Sequence, residues 1–130
     1  MYILGIDWGE KYIGIALSDK NGRVAGRFSV ERNNDQFYPW LNNLLAEYDI
    51  STIVVGIPFD VSGEESSIAL NIHDFVKPFE NKYKVVFWNE TLTSRESQSI
   101  RVKKGVSKGR LDDLSAQLIL QEYLDYMSSQ

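Results

Sequence analysis

Gly5-Ile6-Asp7-Trp8-Gly9-Glu10-Lys11-Tyr12-Ile13-Gly14-Ile15-Ala16-Leu17-Ser18-Asp19 is the stretch whose reading decides the fold. Ile3 to Ile6 suits a short buried strand that ends at Asp7. A glycine-bearing turn follows, and Tyr12 to Ser18, with β-branched Ile13 and Ile15, runs back as a second strand. Asp19-Lys20-Asn21-Gly22 then makes a hairpin turn into a third strand, Arg23 to Val30. The result is an antiparallel meander with one carboxylate, Asp7, at a strand end beside backbone that can approach a ligand closely.

Downstream the pattern changes period. Asn33-Asn34-Asp35 offer helix caps, and Phe37, Trp40, Leu41, Leu44, Leu45 and Tyr48 recur at helical spacing, with Pro39 tolerable in the first turn. Thr52 to Ile57 is continuously apolar, as a parallel strand covered on both faces should be, and Pro58 stops it. Ile68, Ile72, Phe75, Val76 and Phe79 mark a second helix, and Tyr83 to Trp88 another strand. Thr93-Ser94-Arg95-Glu96 fits a capping box for a third helix. Leu111 to Met127 forms the last, with Leu114, Leu118, Leu120 and Tyr123 among its apolar positions. Three antiparallel strands followed by strand-helix alternation predict an α/β fold: a five-stranded mixed sheet, two strands of it parallel, flanked by helices. By analogy of element order this is the ribonuclease H-like fold.

Composition bounds the rest. The chain has 130 residues, enough for one domain spanning 1–130 that buries its own core. No apolar run approaches the roughly 20 residues of a membrane span. The first residues lack a basic region and enter a strand directly, so a secretory signal is not expected and a cytoplasmic location is. The absence of cysteine excludes disulfides and thiolate metal sites, and the single His73 excludes a histidine-rich one. The net charge of -4 disfavours a protein that coats nucleic acid nonspecifically. Against that acidic total, Arg101 to Arg110 holds Arg101, Lys103, Lys104, Lys108 and Arg110 with no acid, a plausible phosphate-contacting loop.

A carboxylate at a strand end beside a glycine turn serves two kinds of site, a metal-dependent nuclease or the phosphate loop of actin-like ATPases and sugar kinases. The ATPase plan requires a second domain and a second phosphate loop, for which 130 residues leave no room. Phosphodiester hydrolysis by hard cations needs carboxylates from separate elements converging on one point. Asp7 ends the first strand, Glu90 follows the fifth, and Asp112 and Asp113 open the last helix, where a carboxylate also suits the helix dipole. Asp19, Asp60, Glu64 and Glu65 are reserve candidates near loop ends, and Ser18 and Ser66 are possible phosphate donors. Gly56-Ile57-Pro58 should emerge beside Asp7 if the two strands are neighbours.

These residues together resemble the YqgF family, relatives of the RuvC-like Holliday junction resolvases associated with maturation of pre-16S ribosomal RNA. Gly5 to Gly9, Ile13 to Ala16 and Ser18-Asp19 are similar to its opening motif. Val54 to Pro58 with Gly63 resembles its central loop, and Asn89-Glu90-Thr91-Leu92-Thr93 its late acidic segment. Asp112 followed by Ser115-Ala116, Ile119-Leu120 and Tyr123-Leu124 matches its last helix. The resemblance implies that Asp7, Glu90 and Asp112 are catalytic and hold Mg²⁺ or Mn²⁺, and that Lys103, Lys104, Lys108 and Arg110 steer a nucleic-acid backbone. It departs at Asn89, where the family has aspartate, and at Thr91 and Tyr12, where arginine is usual. The implied activity is a metal-dependent endonuclease on structured nucleic acid, foremost precursor rRNA at its 5′ end within a ribosomal subunit precursor. The alternatives are a resolvase of branched DNA and a catalytically weakened nucleic-acid-binding or ribosome-binding protein of the same fold. No membrane partner is expected, and the chain suits a monomer or a homodimer.

Overall fold

Residues 1–58, 68–89 and 112–130 are described by the computed structural model. Their elements are β1 (Tyr2–Asp7), β2 (Tyr12–Ser18), β3 (Ala25–Arg32), α1 (Phe37–Glu47), β4 (Ile50–Ile57), α2 (Ala69–Val76), β5 (Lys84–Asn89) and α3 (Asp112–Ser128). The strands form one sheet in the order β3-β2-β1-β4-β5. β1, β2 and β3 pair antiparallel, whereas β4 lies parallel to β1 and β5 parallel to β4. This is the mixed sheet anticipated from the sequence.

Side-chain alternation divides the sheet into two faces. Leu4, Ile6, Ile13, Ile15, Ile53, Val55 and Ile57 face α1 and α2, meeting Leu41, Leu44, Ile72 and Val76. Ala16 and Val54 face α3, meeting Ala116, Ile119, Leu120 and Tyr123. Helices on both faces explain why β4 reads as a continuous apolar run rather than an alternating one. The two cores differ in build. Branched side chains fill the α1/α2 side, while the α3 side is lined largely by small residues, so α3 lies close to the strand backbone.

Several boundaries differ from expectation. β3 begins at Ala25 rather than Arg23, because Asp19 Oδ1 accepts the backbone N–H of Arg23 at 2.8 Å and of Val24 at 3.1 Å. Those bonds hold both residues in the turn. β3 instead continues to Arg32, the register partner of Tyr12. The expected cap Asn34 acts before α1 rather than on it: its Oδ1 accepts Gln36 N–H at 3.0 Å, and Gln36 itself makes no side-chain cap. α2 stops at Val76, two residues before Pro78, yet Phe79 remains buried through turn bonds to Val76. On α3, Leu114 and Leu118 are only half-buried. The buried stripe is Asp112, Ser115, Ala116, Ile119, Leu120, Tyr123 and Leu124, since close approach to the sheet selects small side chains near the helix start. The helix expected from Thr93 lies outside the described residues. Among the described residues no helix is long and apolar enough to cross a membrane.

Candidate active site

The parallel strands β1, β4 and β5 end side by side, at Asp7, Ile57 and Asn89. Carboxyl ends of parallel strands are where open α/β sheets gather their ligands. Gly56-Ile57-Pro58 does emerge next to Asp7, since Ile6 pairs with Val55. Asn33 braces the β1–β2 turn that follows Asp7. Its Nδ2 donates to the Gly9 carbonyl at 2.8 Å, and its backbone N–H donates to Lys11 at 2.9 Å. From the sequence Asn33 suggests a helix cap; its place at the end of β3 is what gives it this other work.

Asp7 pairs with Gly14 across the antiparallel register, so both project to the same face of the sheet, with Cα atoms about 4.5–5.5 Å apart. Gly14 in turn lies under the first residue of α3. A Cβ at Gly14 would fall 2.0 Å from the Asp112 carbonyl oxygen and 2.2 Å from its carbon. Gly5 repeats the pattern further along, where a Cβ would come 2.8 Å from Leu120 Cβ. Strand glycines thus let α3 settle onto the sheet with Asp112 next to the residue that pairs with Asp7.

The helix turns its two opening acids in different directions. Asp112 begins the buried stripe and is 7% exposed. Asp113 is rotated by roughly 100° around the helix, and its Oδ1 takes a 3.0 Å ion pair from Arg27 on β3. Asp112 therefore faces the sheet, and Asp113 serves the flank.

Asp7 and Asp112 come from different elements, and carboxylates carry the hard oxygen donors that Mg²⁺ and Mn²⁺ prefer. Burial of the Asp112 carboxylate is itself costly unless opposite charge or hydrogen bonding compensates it. Among the described residues no three of His, Cys, Asp and Glu cluster. Glu90, Lys103, Lys104, Lys108 and Arg110 lie outside the described residues, as do Thr91, Asp60, Glu64, Glu65 and Ser66.

Asn89 falls on the other side of the sheet. It pairs with Ile57, whose side chain belongs to the α1/α2 core, and Phe87 two residues before it meets His73 of α2 at 4.6 Å. Alternation along β5 sends Asn89 to the α2 face, away from Asp7. Ser18 and Asp19 are at the opposite end of the sheet. Ser18 Oγ accepts the Ile3 N–H at 2.8 Å and donates to the Asp19 carbonyl at 2.8 Å. The backbone donors of Arg23 and Val24 hold the Asp19 carboxyl below its ordinary pKa. Both residues are turn builders. A shallow groove of about 450 Å³ beside Trp8, lined also by Glu10, Tyr38 and Asp74, opens on the α1/α2 side of the turn, and its carboxylates do not suit a phosphate.

Comparison with known proteins bears on the family and the fold. The family model described as "RuvX: Holliday junction resolvase" matches residues 1–126. A protein of Sulfurihydrogenibium sp. (strain YO3AOP1), provisionally named pre-16S rRNA nuclease, is 37% identical over 97% of this chain and 91% of its own length. One of the same provisional name from Syntrophus aciditrophicus (strain SB) is 35% identical over 100% of this chain and 92% of its own. In fold, the chain is similar to the Fowlpox virus resolvase solved with Holliday junction DNA, with a TM-score of 0.60 at 18% identity, covering 98% of this chain and 99% of that one. T. thermophilus RuvC, solved with a Holliday junction substrate, gives 0.59 at 13% identity over 98% and 96%. These two structures share the resolvase fold, as the ribonuclease H-like reading of the element order anticipates. With a family model spanning nearly its whole length and relatives above 30% identity, the chain belongs to the RuvX family, the YqgF group its motifs resemble.

Proposed function

We propose that this chain is a divalent-metal-dependent endonuclease, a hydrolase of phosphodiester bonds in structured nucleic acid, working as one domain in the cytoplasm. The observation that carries the reading is the placement of Asp7 and Asp112 around Gly14 at the carboxyl ends of the parallel strands. Asp7, Asp112 and Glu90 would hold Mg²⁺ or Mn²⁺. Bound divalent cations supply charge stabilisation at the phosphate and make water a stronger nucleophile near neutral pH. The chain's own part is to fix its carboxylates on rigid elements, Asp7 on the central strand and Asp112 on a helix packed against backbone. Burial of Asp112 keeps bulk water from one side of the site. The basic run containing Lys103, Lys104, Lys108 and Arg110 would receive the phosphate backbone.

Relatives over 30% identical that carry the provisional name pre-16S rRNA nuclease support precursor 16S rRNA as the substrate; we place the cut at its 5′ end, within a ribosomal subunit precursor. The test is a cleavage assay comparing a precursor-rRNA hairpin with a four-way DNA junction, each with Mg²⁺, Mn²⁺ and chelator. Metal-dependent cutting of the hairpin, lost in Asp7→Asn, is the expected result. Preference for the junction would reassign the substrate to branched DNA. Retained RNA affinity with neither cleavage nor Mn²⁺ uptake would make the protein a binding member of its fold.

A further inference from the structure

Helix α3 meets the sheet along two stripes of different character. The buried one rests on the backbone of Gly5 and Gly14 and on Ala16 and Val54, with Ile3, Val86 and Trp88 packed beside them. The second runs down the flank of α3 at four-residue steps, Asp113, Gln117 and Gln121, against edge strand β3. Gln117 Nε2 donates to the Ala25 carbonyl at 3.0 Å. Gln121 Oε1 accepts the Ala25 N–H at 2.8 Å, and its Nε2 donates to the Arg23 carbonyl at 3.1 Å and to Asp125 at 3.0 Å. Two glutamine amides therefore grip both backbone groups that Ala25 presents on the open side of β3.

The stripes constrain different motions. Apolar contact is non-directional, so it fixes how far the helix stands from the sheet better than it fixes the height of the helix along it. Hydrogen bonds are steep in distance and angle, so paired bonds to one backbone residue resist a slide. Each residue of slide would move Asp112 by about 1.5 Å along the helix axis. Misplacement on that scale is enough to spoil a constellation of catalytic groups.

We propose that Gln117 and Gln121 are positioning residues that lock the height of Asp112 against Asp7. The assignment rests on the reading of Asp7 and Asp112 as the metal-holding acids. The amides touch neither acid; they act through the backbone of β3 and the rigidity of α3. Their purpose is alignment of the site, beyond the closing of a sheet edge.

The test pairs Gln117→Ala/Gln121→Ala with Ile72→Val, a core change on the opposite face. Mn²⁺ affinity is measured by titration, and thermal stability and steady-state cleavage alongside. The glutamine variant should bind Mn²⁺ about 10-fold more weakly, the lower end for removing residues that orient metal ligands, with KM for RNA little changed. Ile72→Val should lose stability and keep Mn²⁺ affinity. Parental affinity in the folded glutamine variant, or an equal loss in Ile72→Val, overturns the proposal; Gln117→Ala alone serves if the double variant does not fold. A second readout needs no metal. The chain lacks cysteine, so Asp7→Cys/Asp112→Cys can be joined by a short thiol-bridging reagent, and the added glutamine changes should slow bridging several-fold. If the parent takes up no Mn²⁺ but bridging slows, the metal reading fails and the positioning role stands. Unchanged bridging overturns the positioning role whether or not the parent binds metal.

Discussion

Gly14 lies against the backbone of Asp112 so closely that a single added carbon would stand 2.0 Å from the Asp112 carbonyl oxygen. Gly14 is flanked on its own strand by Ile13 and Ile15, both fully buried on the other face, so the strand cannot recede. Gly14→Ala must instead lift the start of α3. Overpacking of this kind costs on the order of 1–3 kcal/mol, and here it also moves Asp112 away from Asp7. The variant should unfold at lower denaturant concentration and, under conditions where it is fully folded, cleave far more slowly than the parent. Parental cleavage by folded Gly14→Ala would show that contact with Gly14 does not place Asp112.

Asp112→Asn and Asp113→Asn separate adjacent acids by role. Asp112 is buried against the sheet, whereas Asp113 forms an ion pair with Arg27, whose side chain is 46% exposed. The Asp113 side chain is 16% exposed but its arginine is open to solvent, so loss of the pair is worth about 1 kcal/mol and Asp113→Asn should cleave within a few-fold of the parent. Asp112→Asn should lower the cleavage rate about 10²-fold or more, the scale of removing one electrostatic stabiliser. Single-turnover rates at saturating Mn²⁺ decide it. Comparable rates for the two variants would remove Asp112 from the site.

The sheet was legible because each strand announces itself by a local pattern: alternation around Asp7, a hairpin turn at Asp19 to Gly22, an unbroken apolar run in β4. Asp7 was legible for the same reason, as an acid that ends a buried strand. Which of Asp112 and Asp113 is buried was not, because adjacent helical residues differ only in rotation, and rotation is set by what the helix packs on. Leu114 and Leu118 even favoured another face; the sheet glycines overrode them by admitting Ser115 and Ala116. Gln117 and Gln121 left no signal at all, since their partners are backbone groups more than ninety residues earlier in the chain. Asn89, where the chain departs from the family pattern, is placed by register on the α2 face, which its local sequence does not show.

Asp19 predicts a pH dependence unrelated to catalysis. Backbone donors at Arg23 and Val24 stabilise its ionised form and lower its folded pKa below the ordinary value of 3.8. A carboxyl depressed on folding adds stability above its unfolded pKa and loses it as pH falls through the folded value. Asp19→Ala should therefore melt below the parent at pH 7, and the gap should narrow as the medium is acidified past about pH 3.9. Thermal melts across that range check the sign, and a gap that widens in acid would contradict it. Cleavage at pH 7 should be unchanged, since Asp19 lies at the far end of the sheet from Asp7.

Arg32 supplies a charge at the site end of the sheet, where the departure at Tyr12 removes one. It is the register partner of Tyr12, is exposed, and forms no ion pair among the described residues. Tyr12 lies two residues before Gly14, so alternation sends Tyr12 and Arg32 to the face that holds Asp7. A guanidinium there can meet a phosphate next to the one being cut. Arg32→Ala should weaken RNA binding and raise KM, while Mn²⁺ affinity and the rate at saturation stay close to parental. One lost phosphate contact should also reduce the slope of log affinity against log salt by about 1. Arg23→Ala, in the turn before β3 at the opposite end of the sheet, controls for loss of positive charge alone. If both variants shift the salt slope equally, Arg32 acts through net charge rather than at the phosphate.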